Sequence, residues 1–177
     1  MALFTTIIET PVGEMIAAAN DQGICLLDYR YRKMLPAVQK RISDELNDHF
    51  EEGKQPLLDQ LRIQLIEYFA GIRQTFSLPL QPAGSVFQQK VWFELMKIPY
   101  GKTYSYLQLA RACGDEQAVR AVASANGQNG LALLIPCHRV IGNNGSLTGY
   151  AGGLPAKRWL LDHERKHSGE ALQGALF

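Results

Sequence analysis

The chain has 177 residues, 46% of them hydrophobic, with a formal net charge of +1. That is the size of one large or two small domains and the composition of an ordinary globular protein. No apolar run approaches the roughly 20 residues of a membrane span, no charged leader opens the chain, and three scattered cysteines, Cys25, Cys113 and Cys137, exclude a disulfide framework. A soluble, cytoplasmic protein with free thiols and no bound metal is expected, since no CxxC pair occurs and only the distant His49 could assist Cys25.

The opening "LFTTIIETPVGEMIAAANDQGICLLDYR" alternates β-rich runs with turn signals at Pro11-Val12-Gly13 and at Asn20 to Gly23, which predicts an antiparallel meander. Helices are expected over "LPAVQKRISDELNDHFEE" and "LLDQLRIQLIEYFAGI", where Leu58, Leu61, Leu65 and Phe69 recur at helical intervals. "SLPLQPAGS" then gathers Pro79, Pro82 and Gly84, and a domain boundary is expected after Gly84. Residues 1–84 carry 8 Lys+Arg against 11 Asp+Glu, a charge of −3; residues 85–177 carry 10 against 6, a charge of +4. The excess in the second half is a weak pointer to nucleic acid.

Beyond the boundary, "SVFQQKVWFELMKI" predicts a helix capped by Ser85, with Phe87, Val91 and Leu95 on its apolar face. "SYLQLARAC" and "EQAVRAVASAN" are two short helices about a glycine turn, the outline of a helix-turn-helix and equally of a plain packing corner. Small residues on the second, Ala121 and Ser124 among them, permit close approach to a groove or a neighbouring helix, and Arg120 is either an ordinary surface side chain or a contact to nucleic acid. "VIGNNGSLTGYAGG" reads as a hairpin wing turning at Asn144-Gly145, "PAKRWLLDHERKH" as a final helix, and residues 170–177 as a tail.

Between these elements lies "LIPCHRVIG". A cysteine needs thiolate character to attack carbon, so it needs a base, and His138 is adjacent to Cys137. Glu164 is a candidate to orient that histidine, and Pro136 stiffens the turn that carries the thiol. A small buried hydrophobe is the alternative reading of Cys137.

"IPCHRVIG", followed by "GSLTGYAGG" and "KRWLLDHE", resembles the O6-alkylguanine-DNA alkyltransferases across residues 85 to 165. The resemblance implies an α+β fold: an N-terminal antiparallel sheet with helices, ribonuclease H-like, followed by a helical winged helix-turn-helix domain over 85–169. It implies that Cys137 accepts the alkyl group, that His138 is its base through a bridging water, and that Glu164 orients the imidazole. Asn129 matches a hinge, and Tyr106 a tyrosine beside the flipped nucleotide that assists protonation of the leaving guanine. Arg120 matches a finger that fills the base stack, and Ala121, Ser124 and Arg139 are expected on the DNA. Val140, Tyr150, Ala151 and Gly152 are expected around the base, with Lys157 nearby.

The expected partner is double-stranded DNA carrying O6-alkylguanine or O4-alkylthymine, bound by a monomer through the minor groove after base flipping. The expected product is a thioether, so one turnover per molecule and no cofactor are expected. Some relatives have serine at Ala151 and proline at Ala132, and zinc ligands present in some N-terminal domains are missing here. A lesion sensor, a winged-helix regulator and a Cys-His hydrolase are the rival readings.

Overall fold

Three strands open the chain because their turns are built for it. In the computed structural model, which describes residues 2–169, β1 (Ala2–Thr10), β2 (Gly13–Asn20) and β3 (Gly23–Tyr29) form an antiparallel meander. Gly13 adopts φ +115, a conformation open to glycine, at the first turn. At the second, the Asn20 side-chain oxygen accepts from the Gln22 N–H at 2.8 Å.

α1 (Leu35–Leu46) ends earlier than its apolar pattern suggests. Asn47, at φ 51, caps it in the left-handed conformation, and His49–Glu52 leaves as β4. β4 pairs with β1 in parallel, giving sheet order β3-β2-β1-β4. The helix expected to run to Glu52 is corrected by this crossover, and the expected antiparallel meander gains one parallel partner, which covers an edge that a bare meander would leave open.

Alternation along β2 puts Ala17 and Ala19 on one face and Ala18 on the other. Ala18, Leu3 and Leu26 pack with Val38 and Ile42 of α1. Ala17, Ala19, Met15 and Leu27 pack with Leu58, Leu61, Leu65 and Tyr68 of α2 (Pro56–Phe69). This second core runs on without interruption into Val91, Leu109, Val122 and Leu160 of the later helices.

α3 (Val86–Leu95) and α4 (Tyr106–Ala112) each begin with a reciprocal capping box, Ser85 with Gln88 and Ser105 with Gln108. The buried face of α3 is Val91, Trp92 and Leu95: Val91 and Leu95 lie in the core as predicted, while Phe87 is 40% exposed and Trp92 is buried in its stead. Trp92 donates its indole N–H to Ala125 O at 2.8 Å and so ties α3 to α5 (Val119–Gly127).

β5 (Tyr104–Ser105) pairs in parallel with β6 (Val140–Ile141). The expected hairpin wing is therefore corrected: the Asn144-Gly145 turn exists, with Gly145 N–H bonded to Gly142 O, but among the described residues no strand returns after it. α6 (Leu154–His167) closes the described part of the chain, and the predicted tail at 170–177 lies outside it. Among the described residues no helix is long and apolar enough to cross a membrane.

Candidate active site

The segment that carries the thiol is stitched to the sheet. Leu27 N–H donates to Gly130 O and Ala132 N–H to Leu27 O, both at 2.8 Å, so residues 130–132 extend the edge of β3. From there the chain makes two tight turns. Leu133 sits at φ +70 with Leu134 N–H bonded to Ala132 O, and Pro136 (φ −79, ψ 64) lets Cys137 N–H reach Ile135 O. The first is a γ-turn of the rare, strained hand, and the second is its common mirror form. A left-handed branched residue is costly, and it persists here because hydrogen bonds on both sides fix it.

Cys137 then opens a 3₁₀ turn, Cys137–Arg139, and is 4% exposed. Asn129 governs the approach: its side-chain oxygen accepts from Leu131 N–H and its amide donates to Ile135 O, both at 2.9 Å. Burial pushes the Cys137 thiol above its ordinary value; the Asn129 amide opposes the shift, Asp28 adds to it, and Arg32 and Lys157 also oppose it. A thiol held in this way needs a base.

His138 is wholly buried and its Nε2 meets Glu164 Oε2 at 2.7 Å. Burial lowers the pKa of the imidazole, and the Glu164 charge only partly restores it, which favours the neutral ring. With Nε2–H donating to the carboxylate, Nδ1 carries the lone pair, and this buried atom has no hydrogen-bond partner among the described residues.

Glu164 collects donors from three directions. Arg139 donates Nε to Oε1 at 2.8 Å and Nη2 to Oε2 at 3.0 Å, Tyr68 donates its hydroxyl at 2.7 Å, and Gly101 N–H lies at 3.3 Å. Burial works against the charge, but His138 and Arg139 overcome it and hold the carboxyl well below the usual carboxylate range.

A cavity of about 260 Å³ opens on the thiol. Ala123, Asn126 and Gly127 line it from α5, Gly149, Tyr150 and Ala151 from the loop before α6, and Tyr106 from the start of α4, with Asn129 beside Cys137. The structure thus gathers Tyr106, Asn129, Cys137, Tyr150 and Ala151 around one space. Val140 is fully buried in β6, Gly152 faces Tyr29, and Lys157 sits behind the wall with Nζ donating to Thr148 O at 2.8 Å. Burial brings the Lys157 ammonium down to about 8.

Arg120, Ala121 and Ser124 are exposed on α5 and do not line the cavity. Arg139, expected on the DNA, is a correction: it is 7% exposed, with Nη1 bonded to Ile98 O at 2.8 Å and its other donors on Glu164. A guanidinium this close to a deeply ionised carboxylate is retained inside rather than presented outside.

Three contributors from the first half escaped the sequence reading. Tyr68 touches Glu164; Arg32, paired with Asp28 at 2.8 Å, donates to Gly127 O and Asn129 O; and Tyr29 touches Tyr150. No short-range pattern marks them. Ala123, Asn126 and Gly127 were also missed, although their i, i+3, i+4 spacing places them on one helical face. The metal expectation passed over His163 and His167, which stand four apart in "HERKH". His163 Nε2 bonds Tyr68 O and His167 Nδ1 bonds His163 O, and no group of three metal-ligating side chains forms among the described residues.

The signs of these shifts give a prediction. His138, His163 and Glu164 all bind protons less readily folded than unfolded. Their contribution is complete above the ordinary values, 6.5 for His and 4.5 for Glu, and is lost as pH falls below each. Melting temperature should therefore drop steadily between about pH 7 and about pH 5, followed by circular dichroism; a flat profile would contradict the burial of both histidines.

Comparison with known proteins agrees from residue 3 to residue 166. Residues 3–82 match the family described as 6-O-methylguanine DNA methyltransferase, ribonuclease-like domain, and residues 86–166 match its DNA binding domain. A constitutive methylated-DNA–protein-cysteine methyltransferase of Bacillus subtilis is 45% identical over 163 residues, covering 92% of this chain and 95% of that protein. One from Methanosarcina barkeri is 42% identical over 93% of this chain and 99% of its own. The crystal structure of Mycobacterium tuberculosis O6-methylguanine methyltransferase superposes with a TM-score of 0.80 at 35% identity, over 97% of this chain and 98% of that one. A structure of the Mycobacterium tuberculosis protein in complex with DNA has the same score, over 96% of this chain. With one thiol, its histidine and its carboxylate already assembled on a matching fold, the chain belongs to the methylated-DNA–protein-cysteine methyltransferase family.

Proposed function

We propose that the protein repairs alkylated DNA by direct reversal, moving the alkyl group from O6-alkylguanine to Cys137. The observation that carries the proposal is the nearly buried thiol on a cavity of about 260 Å³, in the residue next to a buried histidine whose Nε2 lies 2.7 Å from the Glu164 carboxylate. That volume is below the roughly 300–1,000 Å³ typical of drug-sized ligand sites and suits a single everted base.

His138 Nδ1 takes the thiol proton through one water, and Glu164 stabilises the imidazolium that results. The sulfur attacks the alkyl carbon; the C–S bond forms as the C–O6 bond breaks, and the electron pair leaves with guanine. Tyr106, whose hydroxyl accepts from Thr148 Oγ1 at 3.3 Å, keeps its own proton free for that leaving group. The product is a thioether, which water does not cleave, so each molecule acts once.

Reaching O6 requires extruding the nucleotide, at a cost of a few kcal/mol. The exposed face of α5, with Arg120, Ala121 and Ser124, enters the minor groove, where Arg120 fills the vacated position in the stack. O4-alkylthymine presents the same reacting group and is a second substrate. The protein works as a cytoplasmic monomer, with residues 1–84 supporting and residues 85–169 gripping the DNA.

Intact-protein mass spectrometry after exposure to a duplex containing O6-methylguanine tests the proposal. A gain of one methyl group per molecule, located on the Cys137 peptide and abolished by Cys137→Ser, is expected. Cys25 and Cys113, both buried in packing positions, should stay unmodified. Unchanged mass with tight binding would mean a lesion sensor, and product in excess of protein would mean a turnover enzyme.

A further inference from the structure

We propose that Tyr29 and Tyr31, at the end of β3 and just beyond it, set the size of the alkyl group the cavity accepts by fixing its loop wall. This rests on the alkyl-transfer reading of the site and extends it to specificity.

The cavity has walls of two kinds. One is α5, a regular helix tied to α3 by the Trp92 hydrogen bond. The other is the segment from Gly149 to Ala151, in a stretch with no helix or strand between Ile141 and Leu154. A wall without its own hydrogen-bond ladder takes its position from what it leans on.

It leans on the first half of the chain. Tyr29 is fully buried, and its hydroxyl lies 2.7 Å from the Tyr150 hydroxyl, with the two rings edge-on at 5.5 Å. Tyr31 donates its hydroxyl to Gly152 O at 2.8 Å, with Val12 O at 3.2 Å. A Cβ on Gly152 would lie 2.6 Å from the Tyr29 ring, so the loop backbone rests directly on that ring. Lys157 holds the far end through Thr148 O.

Tyr150 and Ala151, the residues between these anchors, face the space beside Cys137. β3 sits in the sheet and also bonds residues 130–132 of the thiol segment, so one strand references both the nucleophile and the opposite wall. The clearance between them is therefore a property of β3. Removing the Tyr29 hydroxyl leaves the Tyr150 phenol without its partner, and the phenol moves toward water, taking the wall outward. A methyl group needs no such space; a benzyl group does.

The test compares wild type with Tyr29→Phe, Tyr31→Phe and the double variant, using single-turnover transfer from duplexes carrying O6-methylguanine or O6-benzylguanine. Methyl transfer by wild type is the control on which the alkyl-transfer reading stands or falls by itself. With that control positive, the benzyl-to-methyl rate ratio is expected to rise about tenfold in the double variant, with thermal melts confirming a folded protein. An unchanged ratio overturns the proposal. So does a parallel fall of both rates, which is what two tyrosines with a purely structural role would produce.

Discussion

Glu164→Gln is expected to cost about 3–5 kcal/mol of stability, the range for breaking a buried ion pair from one side, and to slow transfer about 100-fold or more. The amide keeps the shape of the carboxylate but not its charge. Arg139, 7% exposed and bonded to Glu164 through two nitrogens, would be left as an uncompensated buried cation. His138 would lose the anion that fixes its tautomer and stabilises its protonated form.

The two effects are separable. In Glu164→Gln combined with Arg139→Met both buried charges are gone, and such replacements are often neutral for stability. The double variant should therefore melt near wild type yet remain slow, because His138 still has no counter-charge. Denaturant melts paired with single-turnover rates read both quantities. A Glu164→Gln protein that transfers within about threefold of wild type would remove the carboxylate from the mechanism.

The part of this site visible in the sequence is the part that is contiguous. Pro136, Cys137 and His138 are neighbours, and the residue types alone suggest a thiol with a base. Glu164 was only a candidate from the residues alone, because its 26-residue separation from His138 carries no periodic signal, and the resemblance gave it its role. Strands β1 to β3 and helices α3 and α6 were legible because turn chemistry and caps are local. β4 was not: His49–Glu52 continues a polar, helix-compatible run, and only pairing with Ala2–Thr5 makes it a strand. The wing failed for the opposite reason. Its Asn-Gly turn is real, but β6 finds its partner in β5, far back in the sequence, rather than across the turn.

Arg139 shows the same limit in a charged residue. A basic side chain beside the nucleophile of a DNA-acting protein reads naturally as a phosphate contact, and only the fold reveals that Glu164 and Ile98 O already occupy its donors. Tyr68, Arg32 and Tyr29 are invisible for a related cause. The core is continuous between the two halves of the chain, so residues of the first half reach the site by tertiary packing alone.

Asn129→Leu should slow transfer about 10- to 100-fold, the equivalent of one hydrogen bond to a charged group, and should do so unequally across pH. The Asn129 amide is the foremost group opposing the burial that disfavours the Cys137 thiolate. Leucine fills the space without a donor, so the thiol ionises less readily and the rise of rate with pH should move to higher pH. Stability should fall by about 1–3 kcal/mol, because Leu131 N–H, buried in the thiol segment, loses its acceptor. Ile135 O suffers less, since Cys137 N–H still donates to it. A leucine acting only by loosening the fold would lower the rate by one factor at every pH. A displaced pH profile therefore identifies Asn129 as a group that acts on the sulfur itself, and a uniformly lowered one would reduce it to a brace for the turn.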